Sequence, residues 1–431
     1  MGEFLQLLRS NRNYRFMWAG QIVSEIGDNF NNIAVFALAM ALTHSGMVVT
    51  GVLLARAIPA ITMGPLAGVL LDRFDRKRIM IMSDLVRALV ALGFILAVTS
   101  HRIWVLYAFS ALLMAASPFF SAGRSAILPT IASPEEIHTA NSLTQTTQWM
   151  TLTVGTFLGA TVVAIGYKWA FGFNALSFVF SAWCIWNLRA PDAAGFRAPR
   201  KIKAGGDDIR PVREYRDGLR YMRSVPLVFA IALLSVGWAT GGGAAQILFT
   251  LFGEVVFNRG ASGIGLIWGC AGLGLLTGGV LANWLGRKLT FNGYKLTIFV
   301  DYVVYGVTYV LFSRVQRFDL ALLFIFLSRV VMAINGVMNY SYLLRTVPNR
   351  FRGRVFATMD TFTWSMMMVS MMGAGVASMH YDLRLIGTVA GLLSSTTAIF
   401  WGWANWTGRL PRPAFAGSEL VQPEAHADLA V

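Results

Sequence analysis

A chain of 431 residues that is 56% hydrophobic and only 13% charged, with a mean hydropathy of +0.58, has too little polar surface to fold in water. Its formal net charge of +15 sits in short gaps between apolar runs, a pattern of membrane topology that argues against a nucleic-acid-binding protein. Cys184 and Cys270 lie far apart inside apolar runs and read as packing residues, implying neither a disulfide nor a metal site.

At the start, Phe4, Leu5, Leu7 and Leu8 predict a short amphipathic helix on the membrane surface in place of a signal peptide. At about 20 apolar residues per crossing, the first half predicts transmembrane spans at 14–43, 48–71, 79–100, 103–123, 140–166 and 168–188. The second half predicts them at 226–256, 262–284, 295–313, 320–344, 355–379 and 383–407. The expected fold is an all-α membrane protein whose twelve transmembrane helices form two pseudo-symmetric six-helix bundles, 1–188 and 226–407. Residues 189–225 form a basic cytoplasmic linker, in which Val212 to Arg223 reads as an amphipathic helix on the inner leaflet, and 408–431 a disordered cytoplasmic tail. Roughly 27 Lys and Arg fall in gaps on the side of the N-terminus against about 6 on the other, which places both termini in the cytoplasm.

Charge inside the hydrocarbon is costly, by about 2.5–3.5 kcal/mol on insertion scales, so an intramembrane ionisable residue faces water or a partner. Span one carries Glu25 and Asp28 near mid-depth, and with Asn29, Asn32 and Phe36 they make a stripe at helical spacing that is expected to line a cavity. Arg56 in span two lies at a depth to pair with Asp28 or Glu25. Such a pair would fix the first two helices together, or leave one carboxylate as the site of a proton or a substrate charge.

Span two ends in Gly68-Val69-Leu70-Leu71-Asp72-Arg73-Phe74-Asp75-Arg76-Lys77, and span eight ends in Gly279-Val280-Leu281-Ala282-Asn283-Trp284-Leu285-Gly286-Arg287-Lys288 in the same register. A second echo sets Leu128-Pro129 before Asn141 as Val347-Pro348 stands before Asp360. The chain therefore reads as a duplicated membrane domain with the substrate path at the repeat interface.

Thr144, Gln148, Thr151 and Gly155 share a face of span five, Ala239, Gly242, Gln246 and Thr250 one of span seven, and Trp364, Met367 and Met371 one of span eleven. Polar groups among thioethers and rings suit a cavity for amphiphilic molecules, although Met and Trp also fill cores. Arg329, midway in span ten, either complements an anionic part of a substrate or pairs with Glu254. Asn335, Asn339 and Tyr342 form a separate polar face that reads as helix-helix glue.

The loop Gly68…Asp72-Arg73…Arg76-Lys77 resembles the signature between helices two and three of the major facilitator superfamily. Asn11-Arg12-Asn13-Tyr14-Arg15-Phe16, Gly20-Gln21, Ser24…Gly27-Asp28, Ile127-Leu128-Pro129 through Ala140-Asn141, and Val347-Pro348…Arg352-Gly353-Arg354-Val355-Phe356 resemble one branch of it. That branch is the twelve-helix drug:proton antiporters of the macrolide-efflux and enterobactin-exporter type. The sequence departs from the branch in span five, where Gly155-Thr156-Phe157-Leu158-Gly159 lacks the usual proline, and in span four, where Arg124 stands at the expected helix end. The resemblance implies a multi-pass protein of a bacterial inner membrane. It also implies a gate in which Asp72 accepts from backbone N–H groups at the start of span eleven, near Arg354 and Val355, and ties the halves together. Gly68, Arg73, Arg76, Lys77, Asp84 and Arg87 surround that contact, and Asn283 replaces the acid in the second copy.

The expected function is secondary transport by alternating access, moving an amphiphilic drug, siderophore or lipid-like compound outward, with protons as the coupling partner at Asp28. A lysophospholipid flippase and an ion-independent uniporter of the same fold are the alternatives, and a non-transporting sensor or a polytopic enzyme the remote ones. His44, His101, His138, His380 and His426 stand singly, and no phosphate loop, nucleophile elbow or metal-ligand spacing is present, so no cofactor is implied. The protein is expected to act as a monomer among membrane lipids.

Overall fold

The computed structural model describes residues 2–43, 45–133, 136–190, 196, 219–286 and 288–411, and among them it is helical with no strand. A surface helix α1 (Gly2–Ser10) precedes α2 (Arg12–Thr43), α3 (Gly46–Arg73), α4 (Arg76–Ser100), α5 (Ile103–Ile131), α6 (Glu136–Ile165) and α7 (Tyr167–Trp186). The second half holds α8 (Pro226–Leu251), closed by a π-helical turn (Phe252–Val256), then α9 (Gly260–Gly286), α10 (Phe291–Arg314), α11 (Phe318–Thr346), α12 (Asn349–Ala377) and α13 (Leu383–Trp406).

Ten of these helices are long and apolar enough to cross a membrane, by length and composition. The other two long helices, α2 and α12, have 32 and 29 residues and carry more polar groups, as helices beside an aqueous path must. Most of the expected basic linker and tail, 197–218 and 412–431, lies outside the described residues; the end of the expected linker helix, 219–224, is helical.

Local chemistry sets the helix ends. Asp75 caps α4 by accepting from the Arg78 N–H, Thr290 caps α10 through Gly293, Asp382 caps α13 through Leu385, and Pro226 opens α8 where no N–H is needed. On α1, Leu7 is buried beside Tyr14 and Met17 while Leu5 is exposed, so one face of that helix docks on the first bundle.

The helix pairings of the first half recur in the second, six helices on. In the first bundle α2 packs on α6 and α7, α3 on α5, and α4 on α5 and α7; in the second α8 packs on α12 and α13, α9 on α11, and α10 on α11 and α13. The joints between bundles, α6 with α9 and α12 with α3, obey the same symmetry. This arrangement is the twelve-helix, two-bundle fold expected from the sequence.

The two joints differ in extent. On α9, Gly265, Gly269, Gly272 and Gly279 share a face and lie against Ala160, Phe157, Thr153 and Trp149 of α6, so that joint runs along most of both helices. Without hydrophobic drive between helices in lipid, such close approach of small residues supplies the packing. The α3–α12 joint is tight at the end away from the chain termini, where Gly46 lies beside Ser378 and Gly375 against Thr50. Five turns along α3, Gly64 and Gly68 have open space where a side chain would stand. The close approaches recorded between α3 and α12 thus lie at the end away from the termini, and Gly64 borders the cavity of the first bundle.

Candidate functional site

Gly27 lies against Ser177 and Asn174 of α7, and Gly155 of α6 against Asn29, so α2 sits deep in the first bundle and turns its acids toward α3, α5 and α6. The Glu25 carboxylate is fully engaged. It accepts from Thr151 Oγ1 at 2.7 Å, from Gln21 Nε2 at 2.9 Å and from Arg124 Nη1 at 3.4 Å. Both members of the Glu25–Arg124 pair keep some access to water, with side chains 19% and 14% exposed.

Asp28, one turn further along α2, takes no hydrogen bond among the described residues, and the charges acting on it are those of Arg87, Glu25, Asp84 and Arg56. The expected Asp28–Arg56 or Glu25–Arg56 contact is replaced by another. Arg56 Nη1 donates to Asn32 Oδ1 at 2.7 Å, and its guanidinium lies over the Phe36 ring, 5.5 Å from the centroid, while Nε and Nη2 have no partner among the described residues. The physical reason is reach: Asn32 lies one turn beyond Asp28 on the same face and meets the guanidinium first.

Glu25, Asp28, Asn32, Arg56, Arg87 and Arg124 all border one cavity of about 600 Å³ enclosed by α2, α3, α4, α5 and α6. Gln148 also borders it. Of the other residues expected at the wall, Asn29 turns into the α2–α6 contact, donating to the Glu25 carbonyl at 2.8 Å and the Thr151 carbonyl at 3.1 Å. Phe36 is buried under Arg56, Thr151 is buried behind Glu25, and Thr144 meets the Tyr14 hydroxyl at 3.2 Å. Met367 and Met371 are buried in the second bundle's packing, Gln246 is partly buried on α8, and Trp364 is half exposed on α12.

Two residues assigned to the gate belong elsewhere. Asp84 and Arg87 form a buried ion pair midway along α4, with the guanidinium between the rings of Phe120 at 4.5 Å and Phe178 at 4.3 Å. Arg87 therefore contributes to the cavity wall, because the loop signature ends nearly three turns before it on α4. Arg76 donates to the Ala126 carbonyl at 2.8 Å and Lys77 to the Leu188 carbonyl at 2.8 Å, stitching the start of α4 to α5 and to the end of α7 within one bundle. Arg73 and Asn283 are exposed, Gly68 faces open space, and Arg354 is partly buried at the start of α12. The Asp72 side chain lies outside the described residues, so the expected lock rests on the sequence alone.

In the second bundle, Arg329 Nη1 meets Met332 Sδ at 2.9 Å, and its guanidinium lies over Phe249 at 4.8 Å and Tyr305 at 5.9 Å. It makes no ion pair with Glu254. Asn339 donates to Asn335 at 2.7 Å and accepts from the Tyr294 hydroxyl at 2.6 Å, joining α10 to α11.

Two charged residues are not singled out by the sequence pattern as cavity or pocket groups. The apolar run puts Arg124 at a helix end, yet α5 runs on to Ile131 and places it two turns inside. Asp301 lies buried mid-way along the apolar α10, where the rule applied to Asp28 holds equally.

The sequence profile described as Major Facilitator Superfamily matches residues 17–371. An uncharacterized MFS-type transporter of Bacillus subtilis, YfiS, is 26% identical over 403 residues, covering 90% of this chain and 92% of its own. Macrolide efflux protein A of Streptococcus pyogenes is 24% identical over 63% of this chain and 66% of its own, and the enterobactin exporter EntS of Citrobacter koseri 24% over 81% and 82%. Among solved structures, a bacterial homologue of the iron transporter ferroportin in its inward-facing state superposes with a TM-score of 0.67 at 17% identity, covering 90% of this chain and 98% of that one. The duplicated helix pairings, the charged cavity in the first bundle and the profile match across most of the sequence agree: this chain is a multi-pass membrane transporter that belongs to the Major Facilitator Superfamily.

Proposed function

We propose that the protein exports an amphiphilic small molecule by alternating access, coupled to protons through Asp28. The observation that carries this reading is the division of labour between the two acids of α2. Glu25 is held by Thr151, Gln21 and Arg124, whereas Asp28 faces the same cavity with no hydrogen bond among the described residues. A carboxyl that meets water in a cavity and is not locked by a donor is free to exchange a proton with each turnover. The walls around it mix guanidinium groups with Leu113, Met114 and Phe120, which suits a molecule with both apolar and polar parts.

Direction rests on two supports. The asymmetric distribution of Lys and Arg favours cytoplasmic termini, with the close α3–α12 contacts at the opposite, outer end. Relatives named for macrolide efflux and enterobactin export favour outward transport. Asp28 then carries a proton inward as the bundles rock about the α6–α9 and α3–α12 joints, and cargo leaves on the other side.

The test uses purified protein in proteoliposomes holding a pH-sensitive dye, with macrolides, catecholate siderophores and lysolipids offered in turn. Wild-type protein is expected to move protons when cargo is added, and Asp28→Asn to bind cargo without moving protons. Undiminished cargo-driven proton flux in Asp28→Asn removes Asp28 from the role, and cargo flux that ignores an imposed pH gradient removes proton coupling.

A further inference from the structure

The second bundle contains a separate pocket of about 320 Å³, bounded by α8, α10, α11 and α12. Its volume lies at the small end of ligand sites, which run from about 300 to 1,000 Å³. Two carboxylates, Asp301 and Asp360, border it, and neither forms an ion pair among the described residues. Asp301 is 6% exposed and its Oδ2 has no partner among the described residues; Asn335, 8% exposed, also borders the pocket and leaves its Nδ2 unpartnered among them. A buried acceptor left without a donor in a native bundle calls for an occupant that supplies one or that carries positive charge.

Rings supply part of the wall, beside Ile231, Val331, Met332, Leu343 and Met359. Trp238, Tyr302, Tyr305, Tyr340 and Phe356 all border the pocket. Aromatic faces attract a cation within about 6 Å of the ring centroid, most strongly where water is excluded, and a set of rings around an acid is suited to a quaternary or protonated amine. Basic groups of the neighbourhood point elsewhere. Lys295 donates to the Leu410 carbonyl at 3.4 Å, and Arg329 stands behind the Tyr305 ring, outside the wall. A metal ion is a poor match, because no group of three His, Cys, Asp or Glu side chains converges among the described residues.

We infer that the C-terminal bundle holds its own site for a compact organic cation, seated among Trp238, Tyr305 and Tyr340 with Asp301 as its countercharge. The inference narrows the transport reading to a charge class of ligand, and rests on that reading only for the bound cation being cargo. Occupancy itself depends on the pocket alone.

The experiment is an equilibrium titration of the full chain in lipid nanodiscs with benzyltrimethylammonium and its uncharged carbon isostere, empty nanodiscs serving as the blank. Wild-type protein is expected to bind the ammonium at least tenfold more tightly than the isostere. Asp301→Asn should abolish that discrimination, and Tyr340→Leu, at an exposed ring, should weaken the ammonium several-fold while leaving the isostere and the melting temperature unchanged. Equal affinity for the two probes in wild-type protein overturns the inference, as does discrimination that survives Asp301→Asn. If Asp28→Asn abolishes discrimination and Asp301→Asn does not, the cation sits in the N-terminal cavity and the inference also fails. Should Asp301→Asn not fold, the Tyr340→Leu comparison decides. A failed titration leaves outward flux untouched, and absent flux leaves the titration intact.

Discussion

Arg124 of α5 reaches across the first bundle to Glu25 of α2, Nη1 to Oε1 at 3.4 Å, and this contact bridges two helices that otherwise touch little. The pair is only partly screened, so its members are expected to be coupled. A double-mutant cycle of Glu25→Gln and Arg124→Gln, read by thermal unfolding in detergent, should give a coupling of about 1–2 kcal/mol, within the range for contacting charged residues. Arg124→Gln alone should cost less than Glu25→Gln, since Thr151 and Gln21 still hold the carboxylate. Coupling below about 0.3 kcal/mol would show that the two charges are independently solvated.

Asn32 is the sole hydrogen-bond acceptor recorded for Arg56 among the described residues. Asn32→Ala leaves the guanidinium with the Phe36 ring and the charge of Asp28 as its remaining stabilisers. A hydrogen bond to a charged group contributes about 1.5–3 kcal/mol, and Asn32→Ala should cost that much. In an Asp28→Asn background the same change should cost more, because the anion that substitutes for the lost acceptor is gone. Equal costs in both backgrounds would separate Arg56 from Asp28 energetically.

At the end away from the termini α3 and α12 approach closely, with Thr50 against Gly375. Cysteines at these two positions, in a background where Cys184 and Cys270 are replaced by Ser, are expected to form a disulfide under mild oxidation, because the Thr50 side chain lies against the place a side chain at 375 would occupy. The cross-link should arrest transport in vesicles, and reductant should restore it. Transport that continues in the cross-linked protein would mean that the α3–α12 joint does not open during turnover.

The architecture was legible because hydropathy and duplication act over whole helices: apolar runs long enough to cross lipid fix the spans, and the echo between Gly68…Lys77 and Gly279…Lys288 fixes the repeat. The pairing of charges was not, because it depends on how each helix is rotated and where it stops. Arg124 shows this: the apolar run ends at about residue 123, but Ile127, Leu128 and Ile131 are buried with Leu7 and Tyr14, and this packing carries α5 two turns further. Asn32 intercepts Arg56 for a similar reason, since both Asn32 and Asp28 lie on the predicted face and only the crossing of α2 and α3 chooses between them. The glycines of α9 at 265, 269 and 272 did hold a readable signal, a run of small residues on one face, and they mark the longer joint between bundles.

Asp84 and Arg87 test whether a buried ion pair serves the fold or the cavity. Arg87 lies between Phe120 and Phe178 and also borders the cavity, whereas Asp84 is fully buried. Removing one member of such a pair strands the other charge and costs about 3–5 kcal/mol, while replacing both with apolar residues of similar volume is often neutral. Asp84→Leu and Arg87→Met are therefore each expected to unfold at markedly lower temperature than the wild type, and the double variant to recover most of the loss. If Arg87 serves the cavity, the recovered double variant should fold and yet fail to transport, because a positive charge that borders the same cavity as Asp28 is gone. Full transport by a stable double variant would reduce the pair to packing, and failure of the double variant to recover stability would show that the rings around Arg87 depend on the cation itself.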